Sequence, residues 1–209
     1  MKPKSIALII VLAICLITGC TSRSPIARTD SLEGVVRTLP PKYLADCPYE
    51  VRDRFIADLQ SDGDTSRWDP ANKWMNFYAD SGPVPPTLMI YMRMLRHDDG
   101  GEIVFVHMPK PHADGTPPST NQTFALKAGS NGEWIDLTHD LLPTAVDLTA
   151  HFSPVRTTPM IEVAPYERFK RTDDRGEAYK FGKCTQELWW NGHNFDLKQV
   201  TPRKLAEEL

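Results

Sequence analysis

Apolar and polar positions alternate most cleanly over Thr87–Leu95. Leu88, Ile90, Met92 and Met94 fall on one face of an extended chain, and Met89, Tyr91, Arg93 and Leu95 fall on the other. Asp98-Asp99-Gly100-Gly101 is a turn signal, after which Glu102–Met108 alternates again, with Val104 and Val106 opposing Ile103, Phe105 and His107. The two runs predict a hairpin. Both strands are apolar on both faces, so the hairpin should lie in the middle of its sheet. Further strands are expected over Lys73–Ala79, Gln122–Ala128, Trp134–Leu137, Met160–Ala164, Ala178–Trp190 and Asn194–Leu197, with Asn191-Gly192 as a tight hairpin turn. The period changes at Tyr49–Leu59, where Val51, Phe55, Ile56 and Leu59 recur at helical spacing with Arg52, Asp53, Arg54 and Asp58 between them. Asp46-Cys47-Pro48 reads as the start of that helix and Ser61-Asp62-Gly63-Asp64 as its end. Thr138 is expected to cap a short helix over His139–Leu142, Ala145–Phe152 fits helix or strand, and Thr201–Leu209 reads as a terminal helix.

These patterns give an α+β fold: an antiparallel sheet of about five to eight strands with one N-terminal amphipathic helix packed on it, a β-sandwich being the alternative. The globular domain is expected over residues 40–200, followed by a C-terminal tail at 201–209. The 18 prolines suit loops, strand ends and turns. Residues 20–39 are polar with scattered apolar positions and no sustained period, so they read as a flexible tether spanning on the order of 25 Å. The other reading of that segment is an edge strand containing Val35, Val36 and Leu39.

The start of the chain has its own pattern. Lys2 and Lys4 precede an apolar run from Ile6 to Ile17, shorter than the ~20 residues a spanning helix needs. The run ends in Leu16-Ile17-Thr18-Gly19-Cys20, which resembles the lipobox of bacterial lipoproteins. The resemblance implies a signal peptide over residues 1–19 and a lipidated N-terminal Cys20, carrying a thioether-linked diacylglycerol and an amide-linked fatty acyl chain such as palmitate. One acyl chain binds a membrane marginally and two bind it stably, so such a cysteine holds the protein at the membrane. Thr21 stands where the family's inner-membrane retention signal places Asp, which points to the outer membrane, with the domain in the periplasm or facing outward. An ordinary secretory peptide or an uncleaved anchor is the plainer alternative.

Export changes how the composition reads. Removing the first 19 of 209 residues leaves 190, one domain plus a tether. The leader holds two lysines and no acid, so the full chain's formal charge of −3 becomes −5. That balance offers no basic face for nucleic acid. Of four cysteines, Cys15 leaves with the leader and Cys20 takes the lipid. Cys47 and Cys184 remain, an even pair in a compartment that permits disulfides, and a Cys47–Cys184 bridge is expected; two buried free thiols are the alternative.

No motif carries a specific chemistry. His107 and His112 bracket Met108-Pro109-Lys110-Pro111 without a third ligand at a diagnostic spacing, so no metal is expected and the two read as solvent-facing loop histidines. Asp62, Asp64 and Asp69, and then Asp98, Asp99 and Glu102, lack the alternating oxygens of a calcium loop and read as turn chemistry. There is no Gly-x-Ser-x-Gly elbow for a nucleophilic serine, and no cofactor is expected. Trp189 and Trp190 are adjacent in a predicted strand and must point to opposite faces, which makes them the candidate binding residues. Gly132-Glu133-Trp134-Ile135-Asp136-Leu137-Thr138, running on to Leu142-Pro143, looks like a segment of uncharacterised secreted bacterial proteins in which tight Asp/Asn-Gly turns precede a Trp-x-Asp-x-Thr stretch. The expectation is therefore a membrane-anchored envelope lipoprotein, a non-enzymatic binding or accessory module whose partner is an envelope protein or polymer. The alternative is a tethered hydrolase acting on cell-wall or envelope material, which would need a cleft with two carboxylates, one of them with a raised pKa.

Overall fold

The predicted central hairpin sets the architecture. The computed structural model describes residues 25–61, 67–79, 88–109, 122–170 and 177–206. Strands β1 (Trp68–Asp69), β2 (Trp74–Ala79), β3 (Leu88–Arg96), β4 (Glu102–His107), β5 (Thr123–Ala128) and β6 (Trp134–Asp136) form an antiparallel meander in that spatial order. In the β3–β4 hairpin Arg96 pairs with Glu102, Met94 with Val104 and Met92 with Val106. Gly100 takes φ 93° in its turn, a conformation open to glycine at little cost. Both hairpin strands are covered on both faces, as their two-sided apolar pattern requires.

One face of this sheet carries Met75, Ile90, Met92, Met94, Val104, Val106 and Leu126. Two helices cover it. The expected helix forms as a 3-10 turn (Tyr49–Val51) running into α2 (Arg52–Ser61). A shorter helix, α1 (Leu32–Thr38), lies where a flexible tether was expected. Ser31 caps α1, its hydroxyl accepting from Gly34 N–H at 3.0 Å. Leu32, Val35, Val36 and Leu39 are all buried in the core between helices and sheet. Seven residues cannot show a sustained period, so the segment reads as polar until its one apolar stripe meets the sheet. Arg52 ties the two helices together. Its buried guanidinium donates to the carbonyls of Val36 (2.9 Å) and Leu39, which the end of α1 leaves free, and to that of Cys47 (3.0 Å).

The opposite face carries Leu95, Ile103, Phe105 and Ala125 and packs on a second sheet. Strands β7 (His151–Pro154), β8 (Met160–Ala164), β11 (Cys184–Trp190) and β12 (Phe195–Arg203) form it in the order β12-β11-β8-β7, all antiparallel. Phe152, Ile161, Val163, Leu188, Trp190 and Phe195 fill the space between the sheets. Strands β9 (Tyr166–Lys170) and β10 (Glu177–Phe181) make a separate two-stranded ribbon. The fold is α+β, and a sandwich as well: helices, six-stranded sheet and four-stranded sheet stack in three layers.

Several boundaries differ from the sequence reading. Ala178–Trp190 is two strands, broken at Gly182-Lys183. The loop after β11 runs from Asn191 to Asn194, because Trp190 pairs with Phe195; it is longer than a two-residue turn. Thr201–Arg203 completes β12 instead of starting a helix, and Leu205 is fully buried, so residues 201–206 belong to the domain. A helix does form at Thr138–Leu141 (α3), but Thr138 does not cap it. Its buried hydroxyl donates to Asp136 Oδ1 (2.5 Å) and accepts from Ala125 N–H (3.0 Å), pinning α3 to β5. Among the described residues no helix is long and apolar enough to cross a membrane.

Candidate functional site

The two candidate tryptophans separate as strand geometry requires. Trp190 enters the core between the sheets. Its ring lies edge-on to Phe195 at 5.0 Å between centroids, and its indole N–H donates to Arg96 O at 2.7 Å. It is a structural joint, and the binding role expected of it is withdrawn. Trp189 lies on the outer face of the four-stranded sheet and is only half-buried. Lys198 Nζ sits 5.5 Å from its ring centroid, and its indole N–H donates to Glu187 Oε2 at 2.8 Å. The indole is thus held in one orientation with a cation beside its ring.

That face carries Met160 directly opposite Trp189 and a charged group beside it. Glu187 and Glu162 stand directly opposite each other on β11 and β8, a repulsive placement if left alone. Arg203 bridges them, donating to Glu187 Oε1 at 2.7 Å and to Glu162 Oε1. Glu162 Oε2 also accepts from Ala206 N–H at 2.6 Å, so the buried Glu162 fixes the end of the described chain. Burial acts to raise the Glu187 pKa, but Arg203, Trp189 N–H and Lys198 outweigh it, and the carboxyl titrates below its ordinary range. Bonding to the two carboxylates raises the Arg203 pKa in turn. The Glu187 carboxyl is shifted in the direction opposite to what a general acid needs. This face is built to present an aromatic ring among fixed charges.

The acidic clusters serve the turns and the joint between sheets. Asp69 accepts from Asn72 N–H (3.0 Å) and Asn72 Nδ2 (2.7 Å), closing the β1–β2 turn, and faces Arg156 at 3.3 Å. Asp99 accepts from Gly101 N–H at 3.0 Å and from Lys127, with His97 Nδ1 at 2.8 Å. Glu102 is buried against Lys73 at 2.5 Å. Asp98 N–H donates to Gly192 O at 3.0 Å and its carboxylate meets His193 Nε2 at 2.8 Å, so the β3–β4 and β11–β12 turns lock together. Asp62 and Asp64 lie outside the described residues. Among the described residues no group of three or more His, Cys, Asp or Glu is placed to hold a metal ion.

The histidines hold the largest surprise. His107, expected in a solvent-facing position, is buried between the two sheets beside His151, with ring centroids 5.2 Å apart. Phe181 stacks on His151 at 3.6 Å, Tyr91 lies edge-on to it at 5.1 Å, and Phe152 flanks His107 at 5.3 Å. His107 Nδ1 bonds Thr123 Oγ1 at 2.8 Å, while its Nε2 has no hydrogen-bond partner among the described residues. Burial first, and then His151, push the His107 pKa well below its ordinary value. The signal was present in the alternation, which puts His107 on the same face as Ile103 and Phe105. His112 lies outside the described residues.

The Cys47–Cys184 bridge is not formed, and both thiols are free. Cys47 packs at the helical layer, while Cys184 is buried with Ala164 and Leu205 at the end of the four-stranded sheet. The six-stranded sheet lies between those two layers. Burial raises the pKa of both thiols, which favours their protonated form. Cys20 lies outside the described residues. No family model matches this chain, and neither does any curated protein or solved structure.

Proposed function

We propose that this chain is an exported lipoprotein, anchored to an envelope membrane through Cys20 and more at home in the outer membrane than the inner. Its domain is a non-enzymatic binding module. The observation that carries the binding role is Trp189: an aromatic ring on an outer sheet face, held by Glu187 and set beside Lys198. Such a ring is the side chain most apt to bury against a protein or a sugar polymer, and the charges around it fix orientation. The bridged acid pair Glu162 and Glu187 lends no support to the hydrolase alternative.

Two experiments test the two halves. For the anchor, Cys20→Ala should leave an unprocessed precursor that takes no label from fed palmitate; normal labelling of that variant would end the lipoprotein reading. For the binding role, the lipidated protein is crosslinked mildly in cells, captured and compared with Trp189→Ala. One partner recovered in near-equal amount from the parent and lost from Trp189→Ala supports the face around Trp189. Equal recovery from both moves the binding site elsewhere, and no partner from either turns attention to polymer-degradation assays.

A further inference from the structure

The segment expected to be a long flexible tether is mostly part of the fold, and this has a geometric consequence. Ala27 N–H donates to Gly132 O at 2.7 Å, in the turn between β5 and β6, and Arg28 N–H donates to Thr38 Oγ1 at 3.1 Å. The chain is therefore pinned to the edge of the six-stranded sheet from about Ala27 onward. Only seven peptide steps separate Cys20 from Ala27. Seven residues reach at most about 25 Å, whatever their conformation. A lipid on Cys20 must hold this edge of the domain that close to the headgroups.

The same edge exposes apolar side chains. Ile26 is 73% exposed and Ile135, on edge strand β6, is 40% exposed. Both border one turn. Ile26 lies so close over Gly132 that a Cβ there would meet its Cγ2 at 2.6 Å, and Ile135 Cδ1 would lie 2.9 Å from a Cβ on Gly129. Two of the three large hydrophobic side chains that stand exposed among the described residues thus meet where the anchor's chain enters the fold.

We propose that the lipid bilayer is the occupant of this surface: the turn over residues 129–132, with Ile26 and Ile135, lies against the headgroup region and fixes the orientation of the domain. This rests on the anchor reading above. Two isoleucines would not bind a bilayer from solution, but a short tether makes the contact intramolecular, at an effective concentration in the millimolar range.

The test uses full-length lipidated protein in phosphatidylcholine vesicles, in a Cys47→Ser background. A bimane label is placed at Ile26→Cys, Ile135→Cys or, as a control on the outer face of the four-stranded sheet, Lys198→Cys. Lipids brominated near the headgroup should quench the labels at 26 and 135 by about half, as expected for side chains ~5–10 Å into the interface, and leave the label at 198 bright. A 20-residue Gly/Ser insertion after Thr21 should abolish that quenching while the protein stays on the vesicles. Intact mass reports the lipid independently. An acylated Cys20 with unquenched labels at 26 and 135 overturns the docking alone. Equal quenching at all three positions, or quenching that survives the insertion, also overturns it. A Cys20 without acyl chains removes both the docking and the anchor.

Discussion

The two faces of the six-stranded sheet are built from the same strands on opposite principles. The face under the helices is apolar throughout, with Met75, Ile90, Met92, Met94, Val104, Val106 and Leu126 at its centre and the aromatics Trp68, Phe77, Phe124 and Trp134 beside them. The face toward the second sheet mixes Leu95, Ile103 and Phe105 with Tyr91, Arg93 and His107. Methionine-rich surfaces repack easily and specify little. Polar groups under a second layer must each find a partner, so they fix one register. Arg93 donates to Arg156 O, Trp74 Nε1 to Pro154 O at 2.7 Å, and Trp190 Nε1 to Arg96 O. These three bonds say where the second sheet may dock. On the helical side Trp134 Nε1 donates to Thr38 O at 3.0 Å and ties α1 to the sheet, while Arg52 bonds within the helical layer. Adaptable packing thus dominates under two short helices, and directional bonding dominates where two sheets could otherwise slide.

The comparison can be broken at the inter-sheet side first. Phe105→Ala should cost about 3–5 kcal/mol in urea unfolding, because Phe152 and Phe195 pack on that ring and cannot both collapse into the space. A loss below 1 kcal/mol would show that this side repacks as freely as the other. The next effect is acid sensitivity. His107 has its folded pKa lowered well below the ordinary 6.5. Its neutral form is therefore favoured by the fold, and the associated stability is complete above about pH 6.5. As pH falls below that, the unfolded chain takes a proton that the folded chain refuses, and stability drops by up to about 1.4 kcal/mol per pH unit until the folded pKa is reached. Urea midpoints at pH 7.5 and 5.5 should show this loss, and His107→Phe should reduce it. An unchanged acid loss in that variant would place the sensitivity elsewhere.

Smaller effects are expected on the helical side and outside the core. Met92→Leu should cost less than about 1.5 kcal/mol, since a methionine-lined layer accommodates a swap of similar volume. A larger cost would make that face as specified as its opposite. Trp189→Ala should cost less stability than Trp190→Ala while removing the partner, since Trp189 is partly exposed and Trp190 lies in the core. A large stability loss would instead make Trp189 a structural residue like Trp190.

Much of the fold could be read from alternation. The central hairpin, the side of the sheet each residue takes, and the α2 helix all follow from period and turn chemistry in Ile90–Leu95, Asp98–Gly101 and Tyr49–Leu59. The separation of Trp189 from Trp190 followed from the two-residue repeat of a strand, but which one would be covered did not. The buried His107–His151 pair was hidden for a related reason. His107 sits next to a Pro-rich stretch, and local polarity suggested solvent, whereas its strand face pointed inward. Long-range partners such as Glu162 with Arg203, 41 residues apart, leave no local signal at all.

Taken alone, the sequence determined periods: which runs extend, which coil, where turns fall, and which residues share a face. Those depend on backbone geometry within a few residues. Only the tertiary structure decided what each face meets. Leu32–Thr38 is helix because the sheet offers an apolar surface for its stripe, and a seven-residue helix has too little stability to form unaided. Leu205 is core because Glu162 and Arg203 hold the last segment over the sheet end. Cys47 and Cys184 stay apart because two sheet faces, distant in space, claimed one each. Burial is a property of the packed whole, and it fixes which of the residues offered by the sequence become structure and which are left to bind.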